Sequence, residues 1–260
     1  MEAIRKLGGL TATGRAAWRF VKFVGVTGAR LAVAAPTVAL SRTPGLTSAS
    51  QSHDWGRSLA KHFGVEVVRE TPPPAAAAVI VANHRSYIDI CALLSEVPAS
   101  FTAKAEVARW PFMGYAASVG GTIFVDRKDA KSRDRTRQIV RERLDQGVCM
   151  VVFPEGTSSA GPGVLDFRPG IFRLAAEGGF PVLPVAIWYE AREDAWVGED
   201  TFVGHFLRVF RKPAIRVHVA YGPPMTDTDP EKLRSAAWTW IRDNLKDDPD
   251  AAAQAAREDP

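Results

Sequence analysis

The sequence predicts an α/β layered fold, a central mixed sheet flanked by helices, with two further helices at the N-terminus. Three observations predict it. Short apolar runs at 79–82, 148–153 and 182–189 are too brief for helices and too uniformly apolar for half-exposed strands, so they read as strands buried on both faces. Segments with helical spacing of apolar residues lie between them, and that alternation gives layered architecture. At 260 residues and 46% hydrophobic, the chain buries one sizeable core rather than two.

The first element is apolar and basic at once. Residues 16–40 are mostly apolar, yet Arg19, Lys22 and Arg30 interrupt the run and Pro36 would kink it. A spanning helix needs about 20 apolar residues with few charges, and Arg30 at mid-span is costly. The net charge is +4, but residues 1–64 carry nine Lys/Arg against Glu2 and Asp54, so that segment is +7 and the remainder −3. With no nucleic-acid motif elsewhere, the predicted partner is an anionic membrane and not nucleic acid. The expectation is an interfacial or re-entrant helix, with Trp18 and Phe20 at headgroup level and the cations facing lipid. A true span and a helix packed in a soluble core stand as alternatives. No small-residue cleavage site follows the run, which argues against a signal peptide.

A Ser/Thr/Pro/Gly loop at 41–48 leads to a second helix at 50–62, stopped by Gly64, then a short strand at 65–68 and a Pro/Ala linker at 72–78. The strand 79–82 ends in a polar cluster at 83–89, followed by a helix with Ile90, Leu93 and Leu94 on one face. Further on come a strand at 121–125, a charged helix at 132–146 with Ile139, Val140 and Leu144 inward, and a helix at 169–177 ended by Gly178 and Gly179. After the strand 182–189 comes a final strand at 217–221. The last helix starts with Asp229 as cap and Pro230 behind it, turning Leu233, Ala236, Ala237, Trp240 and Ile241 inward. Residues 247–260 read as an acidic, alanine-rich frayed tail.

Many site chemistries are missing from the sequence. There is no GxSxG elbow, HExxH, P-loop or Gly-rich dinucleotide fingerprint, and no metal or cofactor is expected. Cys91 and Cys149 have no metal-like spacing, so they read as buried thiols in a reducing compartment. The segment Asn83-His84-Arg85-Ser86-Tyr87-Ile88-Asp89 remains. His84 and Asp89, five apart, are about 140° apart on one regular helix and would not meet there. Ser86 and Asp89 have capping-box spacing, so a helix starting at Ser86 leaves His84 free to fold back towards the Asp89 carboxylate. An imidazole held at one nitrogen by a carboxylate takes a proton from an alcohol at the other. The residues alone equally allow Asp89 to be only a helix cap.

Four blocks in order then carry a resemblance. Besides 83–89 they are Gly121-Thr122-Ile123-Phe124-Val125-Asp126-Arg127, Phe153-Pro154-Glu155-Gly156-Thr157-Ser158 and Val182-Leu183-Pro184-Val185-Ala186. Together with Lys104-Ala105-Glu106 and Phe167-Arg168-Pro169-Gly170, they resemble the glycerolipid acyltransferases that include bacterial 1-acylglycerol-3-phosphate acyltransferases. The resemblance covers roughly residues 79–225.

It implies a chain divided as 1–64 membrane-associating helices, 65–246 acyltransferase domain and 247–260 tail. It implies that His84, oriented by Asp89, deprotonates a lysolipid hydroxyl, which attacks the thioester of acyl-CoA or acyl-carrier protein without an acyl-enzyme. Arg127, Glu155, Gly156, Thr157, Arg168 and Lys104 would bind the acceptor, with Arg127 gripping an anionic head group. The expected acceptor is 1-acyl-sn-glycerol-3-phosphate, in phospholipid biosynthesis at the cytoplasmic face of the cell membrane, bound peripherally or re-entrantly. One departure stands out: the family's third block commonly continues Thr-Arg-Ser, where this chain has Thr157-Ser158-Ser159. Arg168 is the candidate replacement cation; the alternative acceptor is lyso-ornithine lipid, whose acylating branch also resembles 196–213. The cationic stretch 127–143 either receives the donor or is a solvated helix face. Competing functions are a non-catalytic lipid-binding protein of the same fold and an esterase using the same base on water.

Overall fold

The structure, a computed structural model, describes residues 2–73 and 76–246, with side chains from Thr11 onward. The expected tail at 247–260 and part of the 72–78 linker lie outside the described residues. Seven strands are β1 Val65–Arg69, β2 Val79–Ala82, β3 Ala99–Lys104, β4 Ile123–Val125, β5 Cys149–Val152, β6 Val182–Tyr189 and β7 Ile215–Tyr221. They form one sheet in the order β1-β7-β6-β2-β5-β3-β4. Strands β2 to β6 run parallel; β7 is antiparallel to β6, and β1 parallels β7. The sheet is therefore mixed, as expected.

Both faces are covered, which is why the strands read as continuous apolar runs. On β2, Ile80 and Ala82 join one core with Phe63, Leu93 and Phe206, beneath α1 Glu2–Ala39, α2 Pro44–Phe63, α3 Ile88–Glu96 and α7 Phe202–Val209. Val79 and Val81 face the other core with Phe172, Leu233 and Ile241, beneath α5 Ala130–Asp145, α6 Gly170–Gly178 and α8 Pro230–Asn244. Burying each such phenylalanine contributes about 1.5–3 kcal/mol.

Several elements depart from the sequence reading. β3 and the short helices α4 Met113–Val119 and α7 were not anticipated: ASFTAK is half polar, and the two helices are too short for periodicity to register. α2 starts six residues before the expected 50, because Pro44 occupies its first turn, where a missing N–H costs nothing. α5 starts at Ala130, capped by the Asp129 carboxylate, which accepts from the Lys131 amide at 3.0 Å. On α8, Asp229 caps as read, but Ala236 faces solvent while Leu233, Ala237 and Ile241 are buried.

The N-terminal helix differs most. α1 is one helix of 38 residues that runs through Pro36, four residues before its end is passed at Leu40. Its inner stripe is Ala16, Arg19, Phe23, Thr27 and Ala34, all buried. Arg19 is not a lipid-facing cation: its guanidinium donates to the carbonyls of Phe210, Lys212 and Pro213 at 3.2, 2.7 and 2.8 Å, closing the end of α7. Burial holds Arg19 below the usual arginine range. Arg30 donates to Ser58 Oγ at 2.8 Å and pairs with Asp54 on α2. The outer face, from Ala17 through Trp18, Val21, Val24, Gly25, Ala29, Ala32 and Val33, carries no charge. Two of the three cations expected to face lipid, Arg19 and Arg30, thus turn inward, while Lys22 lies over the exposed Trp18 ring. The stretch Thr11–Ala39 is long and apolar enough to cross a membrane and only 17% of its most apolar window is buried.

Candidate active site

The parallel strands deliver their following residues to one edge of the sheet, the carboxyl edge where α/β folds place ligands. His84 follows β2, Lys104 ends β3, Arg127 follows β4, Phe153 and Gly156 follow β5, and Tyr189 ends β6.

Asn83 anchors the first of these. Its side-chain amide donates to the Ile187 carbonyl at 2.7 Å and accepts from the Ile187 amide at 2.8 Å, extending the β2–β6 pairing by one side chain. The chain then turns sharply into α3. His84 folds back as expected: its Nδ1 lies 2.8 Å from Asp89 Oδ2, which also accepts from the backbone amides of Arg85 at 2.7 Å and Ser86 at 2.9 Å. The helix itself begins at Ile88, two residues after the expected Ser86. Asp89 is fully buried and the imidazole is 19% exposed. The imidazole stacks on Phe153, ring centres 4.0 Å apart at 17°. His84 Nε2 has no hydrogen-bond partner among the described residues, so it is the nitrogen open to the cavity that His84 lines.

The loop after β5 brackets His84 from both sides. Glu155 Oε2 accepts from the His84 amide at 2.9 Å, and the Ser159 amide donates to the His84 carbonyl at 2.9 Å. Glu155 Oε1 accepts from the Leu165 amide at 2.9 Å. Glu155 is thus turned inward, away from the acceptor contact expected of it, because two backbone N–H groups need its carboxylate. Burial raises its pKa above the ordinary carboxylate range. Arg85 is likewise buried, held by Ser159 Oγ at 2.6 Å and the Gly163 carbonyl at 2.8 Å.

Two guanidiniums meet over Gly156. Arg127 donates to the Gly156 carbonyl at 2.8 Å. A Cβ added at Gly156, where φ is +77°, would lie 2.7 Å from Arg168 Nε and 2.8 Å from Arg127 Nη1, so glycine is required there. Burial, then the neighbouring Arg168, holds Arg127 below the usual arginine range. Ser158, where the family commonly has arginine, donates to the Trp196 carbonyl. Thr157 and Lys104 are exposed on the cavity wall.

The cavity, about 690 Å³, runs from His84 and Arg127 to an apolar region between Phe23, Leu31 and Ala34 of α1, Trp55 of α2, Leu94 of α3 and Ala117 of α4. Sequence reasoning missed it, as it missed Asn83, Phe153 and Tyr189, whose roles rest on contacts 50 or more residues away that leave no local pattern. His205 is buried and bridges Tyr87 and the Ala195 carbonyl at 3.0 and 3.1 Å. His218 lies 3.1 Å from Glu70 and stacks on Trp188. Neither cysteine is in a disulfide, and burial raises both thiols, Cys91 to about 12.

The sequence profile described as Acyltransferase matches residues 64–188. A lyso-ornithine lipid O-acyltransferase of Pseudomonas aeruginosa is 32% identical over 216 residues, covering 80% of this chain and 83% of that protein. The chain belongs to the glycerolipid acyltransferase family. The 1-acyl-sn-glycerol-3-phosphate acyltransferase of Neisseria gonorrhoeae is 35% identical over 134 residues, and there the chain spans about half the relative's length, 52% of each. The crystal structure of the 1-acyl-sn-glycerophosphate acyltransferase PlsC of Thermotoga maritima aligns with a TM-score of 0.67 at 22% identity, over 92% of this chain and 95% of that one. At that identity the alignment shows a shared fold.

Proposed function

We propose that this chain transfers a fatty acyl group from acyl-CoA or acyl-carrier protein to the hydroxyl of a membrane lysolipid, with 1-acyl-sn-glycerol-3-phosphate as acceptor. The observation that carries this is a carboxylate-held imidazole with a free Nε2, opening on an apolar cavity and flanked by paired guanidiniums. His84 Nε2 takes the acceptor's hydroxyl proton, and the oxygen attacks the thioester carbonyl. The C–O bond forms, the C–S bond breaks, and the imidazolium returns its proton to the departing thiolate. Base catalysis of this kind contributes roughly 10²–10⁴-fold, and holding both reactants in place adds more. Arg127 and Arg168 receive the head-group phosphate, Gly156 and Thr157 shape its floor, Lys104 stands at the rim, and the apolar region takes an acyl chain.

The protein works at the cytoplasmic face of the membrane, which α1 contacts through its uncharged outer face. Other exposed apolar residues, Trp110, Phe112 and Tyr115, lie on or beside α4, which walls the same cavity.

A lyso-ornithine lipid acceptor is the second reading. It is favoured by the length of the match to that relative and by Ser158 facing Trp196 instead of supplying a cation. Purified protein given each lysolipid with labelled acyl-CoA or acyl-carrier protein decides between them. Acylation of 1-acyl-sn-glycerol-3-phosphate, lost at least 10²-fold in folded His84→Ala, is the expected result. Acylation of lyso-ornithine lipid alone selects the second reading. Near wild-type turnover in folded His84→Ala removes the mechanism, and no transfer to any lysolipid leaves the lipid-binding or esterase alternatives.

A further inference from the structure

Asp89 is held from two sides of the molecule. Its Oδ2 serves His84 and two amides of the same turn, while its Oδ1 accepts from the hydroxyl of Tyr189 at 2.5 Å, 100 residues away at the end of β6. Tyr189 is buried, and its ring belongs to the core beneath α1, α2 and α3. The bond therefore ties the catalytic turn to the sheet through a rigid element, unlike the local bonds at Oδ2, which move with the turn.

We infer that Tyr189 is a positioning residue for acyl transfer, fixing the Asp89 carboxylate and drawing negative charge away from the His84 imidazole. The inference rests on His84 acting as the base. Burial, and then the adjoining Asp89 carboxylate, push the phenol far above its ordinary value, so Tyr189 keeps its proton and acts as the donor. A hydrogen bond to the charged form stabilises it and lowers the negative potential that it presents to its other partner. With Tyr189 donating, Asp89 presents less negative charge to the imidazolium that forms when His84 takes the proton.

The other ionisable groups near the pair are Arg85, Tyr87 and Cys91 on the same turn and helix, and Glu155 from the loop after β5. Burial keeps the Tyr87 and Cys91 protons on, and Glu155 is engaged with the amides of His84 and Leu165. Arg30, Lys104, Glu106, Arg127 and Asp200 line the same cavity.

Tyr221, the last residue of β7, supplies an internal control. It is as buried as Tyr189, and its hydroxyl has no hydrogen-bond partner among the described residues. The test compares full-length wild type, Tyr189→Phe and Tyr221→Phe in the pH dependence of kcat/KM, on whichever lysolipid the wild type acylates. Tyr189→Phe is expected to lower kcat roughly tenfold, the order of one lost bond to a charged group, with acceptor KM little changed. Its acidic limb is expected to move to higher pH. Tyr221→Phe leaves the profile in place. Replacing Tyr189 with 3-fluorotyrosine, a better donor of nearly the same shape, moves the limb to lower pH and covers the case in which Tyr189→Phe fails to fold. Profiles that coincide for wild type and the altered Tyr189 proteins overturn the inference and leave Tyr189 as packing. A folded His84→Ala protein that retains activity instead removes the reading on which it rests.

Discussion

Glu155 stands in a motif that binds acceptor by resemblance, yet its two oxygens hold backbone amides from two distant segments, those of His84 and Leu165. Glutamine supplies one carbonyl oxygen where two acceptors are needed, so Glu155→Gln leaves a buried N–H unpaired at a cost of about 1–3 kcal/mol. The expected phenotype is a lower kcat with acceptor KM nearly unchanged, measured by steady-state kinetics. Its pH signature is separate. Because burial raises the Glu155 pKa above its ordinary 4.5, folding takes up a proton between the two values, and this group's contribution to stability falls as pH rises through that window. Urea midpoints measured upward from pH 4 should show that slope in wild type and lose its Glu155 part in Glu155→Gln. Arg127 and Arg168 give the opposite kinetic pattern. If they share a phosphate, each single alanine substitution raises the KM for 1-acyl-sn-glycerol-3-phosphate by about 10-fold or more, from loss of a charge-assisted bond of about 1.5–3 kcal/mol. Unchanged KM in both variants would place the head group elsewhere.

At the scale of the element, α1 has two jobs on two faces. Phe23 and Ala34 pack inward, while Val21, Val24 and Val33 are 60%, 44% and 59% exposed. Removing the whole helix would strip the core and one cavity wall along with any anchor, so truncation confuses the two roles. Substituting Val21, Val24 and Val33 together with aspartate leaves the inner stripe untouched. That variant should lose flotation with liposomes while keeping its thermal transition. Wild-type flotation should survive high salt, because apolar burial is not screened and Arg19 and Arg30 are engaged within the protein.

At the scale of the molecule, the cavity has walls from α1, α2, α3 and α4 and from the carboxyl edge of the sheet. No single element contains it. Ala117 lies on its apolar side, and Ala117→Phe narrows the cavity without touching His84, Arg127 or Gly156. The expected result is a shift of donor preference towards shorter acyl chains, read from kcat/KM across a chain-length series, with the pH profile unchanged. Equal loss at every length would mean that the chain does not lie there.

The sequence by itself determined what depends on near neighbours. The buried strands at β2 and β6, the Asp229 cap with Pro230, the bent pairing of His84 with Asp89 and the four ordered blocks were all legible, because apolar runs, capping residues and short spacings act within a few positions. Other features were decided only by tertiary structure, for a common physical reason: a contact between distant residues leaves no spacing in the chain. The cations of α1 looked like lipid contacts until Arg19 met the carbonyls after α7, where an unpaired buried guanidinium would be costly. Glu155 looked like an acceptor ligand until two amides claimed it. Arg168 and Arg127, 41 positions apart, come together because both pack against Gly156. Tyr189 read only as the end of a buried strand, and the parallel packing of β6 against β2 is what carries its hydroxyl to Asp89.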